Sequence, residues 1–95
     1  MLIRTQDKMA TINLDNMIEL YAQIVNPKKE IRETYTTDIK YHSEKLANRW
    51  LGTYSSKEKA LKVLDMIEDA YLRANQGYYI HNVVFHMPAD SEVNV

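Results

Sequence analysis

Ninety-five residues give room for one folding domain and no second core, and a chain of this size buries only about 60–65% of the surface its unfolded form exposes. A hydrophobic fraction of 45% with two Pro belongs to a folded chain, while two Gly is few for an all-β protein built on many tight turns. Twelve basic and thirteen acidic residues leave a formal net charge of −1, so no overall basic field gathers polyanions, and the absence of Cys excludes disulfides, thiolate catalysis and Cys-ligated metal.

A Cys-free chain suits a reducing compartment. Charge interrupts the opening residues Met1 to Gln6 within one turn, so they do not read as a signal peptide. No apolar run approaches the ~20 residues of a membrane span. The expectation is a soluble cytoplasmic protein with no membrane contact.

Leu2 to Gln6 and Ala10 to Leu14 read as two short strands joined in a hairpin around Asp7-Lys8. Asp15-Asn16 is a second turn signal, since both residues tolerate left-handed backbone angles. Met17 to Val25 alternates with a period of two, placing Ile18, Leu20, Ala22 and Ile24 on one side of a half-buried strand, with Glu19, Tyr21 and Gln23 opposite. Asn26-Pro27-Lys28-Lys29 is the clearest turn. Beyond it, Ile31, Glu33, Tyr35, Thr37, Ile39 and Tyr41 share one face of a strand, bent or split given its length, whose other face is wholly polar. Ser43 to Asn48 reads as a loop, and Arg49 to Tyr54 as a closing strand carrying Trp50.

The strongest signal follows. Ser55 with Glu58 three residues on forms a capping box, and Ala60, Leu61, Leu64, Ile67, Tyr71 and Ala74 make one apolar helical stripe. Glu58 with Lys62 and Asp69 with Arg73 are favourable i,i+4 pairs on the outer face. Gly77 stops the helix. Val83 to Met87 is a last short strand ended by Pro88. The expected fold is α+β, an antiparallel β-meander of about five strands, curled or half-barrelled, packed by one C-terminal helix. It forms a single domain over residues 1–88, with a flexible tail at 89–95.

Three segments carry a likeness: Met1-Leu2-Ile3-Arg4-Thr5-Gln6-Asp7-Lys8, then Leu51-Gly52-Thr53-Tyr54-Ser55-Ser56-Lys57-Glu58-Lys59-Ala60-Leu61, and finally Phe85-His86-Met87-Pro88. Together they resemble a family of small uncharacterised proteins of Gram-positive bacteria and their prophages. The resemblance implies a bacterial or phage origin. It assigns no catalytic or binding residue to any position.

The chemistry-bearing residues are sparse. His81 and His86, with His42 distant, lack ligand spacing for a metal and read as ordinary histidines. Ser55 and Ser56 lack the small flanking residues of a strained nucleophile turn and read as helix caps. Glu68-Asp69 fall on the helix's polar side, where carboxyls keep ordinary acidity. One local rule is broken: Lys57, Lys59 and Lys62 crowd the start of the helix, and Asp65, Glu68 and Asp69 come later, against the macrodipole. Ser55, Ser56, Lys57, Lys59 and Lys62 are therefore candidate anion-binding residues, beside the plainer reading of a solvated face.

Seven Tyr stand with Trp50 and Phe85. They suit packing of a small sheet on a helix, a protein interface, or stacking on single-stranded bases. Tyr21, Tyr41, Trp50, Tyr78 and Tyr79 are the candidate interface residues. The functional expectation is a non-enzymatic protein-interaction or accessory module of bacterial or phage origin, acting on a protein partner or a second copy of itself, with no catalytic residues, cofactor or metal. The alternative is a nucleic-acid or phosphate binder through Lys57, Lys59 and Lys62.

Overall fold

A computed structural model describes residues 1–25, 35–44, 47–74 and 84–95. The fold is α+β, with six strands in two three-stranded sheets and one long helix among the described residues. The expected turn at Asn26 to Lys29, the strand start at Ile31, the Gly77 stop, Tyr78, Tyr79 and His81 lie outside the described residues.

The first sheet is built on the expected hairpin. β1 (Leu2–Arg4) pairs antiparallel with β2 (Thr11–Asn13), Ile3 opposite Ile12. The Asp7 carboxylate fixes the turn by accepting from the Thr5 hydroxyl at 2.7 Å and from the Met9 N–H at 3.0 Å, while Lys8 takes a left-handed φ of 65°. These two donors, the Thr5 hydroxyl foremost, hold the Asp7 carboxyl below its usual range. β6 (Val84–His86) lies on the other side of β1 and runs parallel to it, Ile3 beside Phe85.

The second sheet is an antiparallel meander of β3 (Met17–Val25), β4 (Thr36–Ser43) and β5 (Arg49–Tyr54), with β4 central. Thr37, Ile39 and Tyr41 alternate inward as the period of two requires, and Leu20, Ala22 and Ile24 share that face as their direct partners. Two irregularities break the alternation. The register shifts between Met17 and Glu19, so Ile18 has no partner and is 60% exposed rather than buried. A second shift, between Ile39 and Lys40, lets the adjacent residues Leu51 and Gly52 both be buried. A side chain at Gly52 would meet the Met87 methyl at 3.1 Å.

The helix α1 (Lys57–Ala74) packs on β3, β4 and β5. Its cap is Ser56, one residue later than expected: the Ser56 hydroxyl accepts from the Lys59 N–H at 3.2 Å, so the residue at the third helical position is Lys59 and not Glu58. The inward stripe is Ala60, Val63 and Ile67, with Leu64 half-buried, and Leu61 and Tyr71 are the more exposed of the predicted stripe. Asp69 and Arg73 pair at 2.9 Å, whereas Lys62 turns away to the Asn94 carbonyl.

The strands do not form one curled sheet: among the described residues β1 and β5 share no ladder, and Gln6, beyond the end of β1, donates its N–H to the Leu51 carbonyl at 2.9 Å. Residues 89–95 correct the expected tail. They turn through a short 3-10 segment at Asp90–Glu92 and bury Val93 to 4% exposure among Ile3, Leu14, Tyr54 and the rest of the core. Among the described residues, no helix is long and apolar enough to cross a membrane.

Candidate functional site

The start of α1 was the candidate anion site, and the chain fills it from within. The Ser55 N–H donates to Asp90 Oδ1 at 2.7 Å. Lys59 Nζ donates to the Asp90 carbonyl at 3.0 Å and lies 3.3 Å from its Oδ2. The Ser55 N–H, with smaller help from the Ser55 hydroxyl and Lys59, holds the Asp90 carboxyl below its usual range. The lysine-rich start thus receives its counter-charge from a residue 31 positions beyond Lys59, which resolves the broken macrodipole rule. Ser56 is occupied as the cap, and Lys59 and Lys62 both hold the tail. Of the five anion candidates, Lys57 alone projects exposed with no described tie.

The aromatic candidates divide. Tyr41 is 3% exposed and belongs to the core, which corrects its assignment to an interface. The β-strand parity that put it beside Ile39 was the signal for that. Tyr21 and Trp50 lie half-buried on the opposite face of the sheet, each committed to a neighbour. Tyr21 donates to Asn48 Oδ1 at 2.6 Å, and its ring stands tilted 6.3 Å from His42. Trp50 Nε1 donates to Thr53 Oγ1 at 2.8 Å, and that hydroxyl donates to Asp38 Oδ1 at 2.6 Å. Lys40 Nζ reaches Gln23 Oε1 at 2.9 Å, and His42 faces Glu19 at 3.4 Å. This face is a network of paired polar groups rather than a bare aromatic platform.

The two edges of the meander differ. At β5, the Gln6 side chain acts as a substitute strand: its Nε2 donates to the Thr53 carbonyl at 3.0 Å, and its Oε1 accepts from the Thr53 N–H at 2.8 Å. At β3, the outer edge has no ladder partner among the described residues. Beside that edge, α1 stands away from β3 far enough to leave an open groove of about 370 Å³. Leu14, Met17 and Leu20 form one wall, and Leu64, Ile67, Tyr71 and Leu72 the other, with Glu68 the one charged residue among the described lining. Leu72 is 61% exposed and Ile24, on the same face of β3, is 59% exposed. The sequence did carry a signal for this surface, since Leu72 lies off the predicted stripe, but the groove joins residues some fifty positions apart.

No three His, Cys, Asp or Glu side chains cluster to hold a metal among the described residues. His86 is exposed on β6, and His42 is the only other described histidine. No family model, no curated protein and no solved structure matches the chain.

Proposed function

We propose that the protein is a non-enzymatic interaction module, an accessory factor of bacterial or phage origin, that binds another polypeptide along β3 and the groove beside it. The observation that carries this reading is the coincidence of a nine-residue strand edge, unpaired among the described residues, with an apolar groove and exposed Ile24 and Leu72. An edge strand offers backbone donors and acceptors, which give affinity, and the groove offers a place for apolar side chains. Exposed apolar area gathered in one place is the usual mark of a binding surface. The polyanion reading has weaker support, because Lys59 and Lys62 already hold the tail.

The test is nuclease-treated capture with the tagged protein, run beside a Leu72→Asp variant. A protein retained by the wild type and lost by the variant supports the module. Identical captures from both would sink it, and nucleic acid recovered only without nuclease would transfer the function to Lys57 and its neighbours.

A further inference from the structure

Resting on that reading, we infer that the polypeptide docked on β3 is a second copy of this chain, paired strand to strand as a symmetric dimer centred on Ala22. The ladder of β3 with β4 is regular from Glu19 to Val25, and the bulge at Ile18 ends it. Two such strands joined antiparallel about a twofold axis overlap over this whole regular stretch only when Ala22 faces its own copy. Alternative registers step by two residues, because a one-residue slip turns the donors and acceptors away.

The centred register is self-complementary. Leu20 falls opposite the partner's Ile24, and Tyr21 opposite the partner's Gln23. Leu20 and Ile24 share the helix-bearing face of the sheet, Leu20 as part of the groove wall and Ile24 exposed. The pairing therefore sets an exposed isoleucine against the β3 wall of the other copy's groove, twice. Glu19 meets Val25 and not another Glu19, so no like charges face each other along the seam. The smallest side chain of the strand stands at the axis, where the backbones approach.

A twofold axis perpendicular to the sheet keeps both helices on one face. The two grooves then open towards each other across the seam, and Tyr71 and Leu72 of each copy lie on the side that the other approaches. One isologous contact accounts for three features: the unpaired edge, the exposed Ile24 and the groove. The product is a continuous six-stranded antiparallel sheet whose outer edges are the two β5 strands, each already sealed by Gln6.

Sedimentation equilibrium on the full chain is expected to give the mass of two chains at micromolar concentration. Ile24→Lys should weaken self-association roughly thirtyfold or more, as loss of a central apolar anchor does, with the unfolding midpoint of the monomer unchanged. Because the chain has no Cys, Ala22→Cys provides a register test: mild oxidation should link Ala22→Cys chains to one another, while Gln23→Cys, facing Tyr21, stays unlinked. A monomeric wild type, a dimer indifferent to Ile24→Lys, or linkage of Gln23→Cys in preference to Ala22→Cys would overturn the pairing. A monomer that captures a different protein through Leu72 would overturn the pairing alone and leave the docking reading intact. A monomer whose captures ignore Leu72→Asp would remove both.

Discussion

The two sides of the helix are held to the sheet by different means. On the β5 side, hydrogen bonds distant in sequence tie Gln6 to Thr53, Tyr54 to Pro88, and Ser55 and Lys59 to Asp90. Tyr54 donates to the Pro88 carbonyl at 2.8 Å, and burial, followed by the Asp90 and Glu92 carboxylates, keeps its phenol protonated far above the ordinary range. On the β3 side, the described residues between helix and strand are mostly apolar, and they leave a groove. The comparison teaches that the small core is completed where the tail reaches it. Where no tail reaches, apolar surface is left to offer to another chain.

The sharpest way to break that comparison is to attack the tail. Val93→Asp forces a carboxylate into the core and should cost roughly 3 kcal/mol or more, read as a fall in the urea midpoint. A loss below about 1 kcal/mol would mean that the tail is not part of the core in solution. Next comes the seal on β5. Gln6→Ala strands both backbone groups of Thr53 and leaves the Pro88 carbonyl to Tyr54 alone, and about 2 kcal/mol should be lost in the same measurement.

Smaller effects sharpen the picture at the helix start. Ser56→Ala removes the cap and should cost about 1 kcal/mol, whereas Ser55→Ala should cost less, because Ser55 contributes chiefly its backbone N–H. Asp7 and Asp90 both titrate below the unfolded carboxylate value of about 4. Their contribution is therefore fully present above that pH and is lost as pH falls through their lower folded values. Asp90→Asn should flatten part of the acid limb of a stability–pH profile. The effect is modest, since the carboxylate is 40% exposed and screened by solvent. The smallest effect belongs to the open side: Ile24→Thr should move monomer stability by no more than about 0.5 kcal/mol.

Much of the fold was legible. The limits of β3 follow from alternation, and the first hairpin from Asp7-Lys8 between two strand-like runs. What escaped has physical causes. A bulge inserts a single residue, and nothing in the alternation of Met17 to Val25 marks Ile18 as the one without a partner. The parallel neighbour of β1 is chosen by tertiary packing, so Val84 to His86 could be read as a strand but not placed. Ser55 looked like the cap because Glu58 completes the box, yet Asp90 claims the Ser55 N–H and the helix begins one residue later. Sequence position hid Val93 as well, an apolar residue flanked by Glu92 and Asn94. Leu72, off the predicted stripe, was the one sign of the groove, and neither it nor the open edge could be placed, since both need β4 and α1 in position first.

The position of β1 has a consequence for the order of assembly. Ile3 meets Ile12 on one side and Phe85 on the other. The first partner follows within a few residues, and its short loop closes quickly. The second is made only after about eighty further residues have been synthesised, and pairings this distant in sequence slow folding far more than they weaken it. A nascent chain can therefore form the β1–β2 hairpin and the β3–β5 meander on the ribosome, while Ile3 and the floor of the core wait uncovered. Cooperative closure becomes possible only once residues 84–93 have emerged.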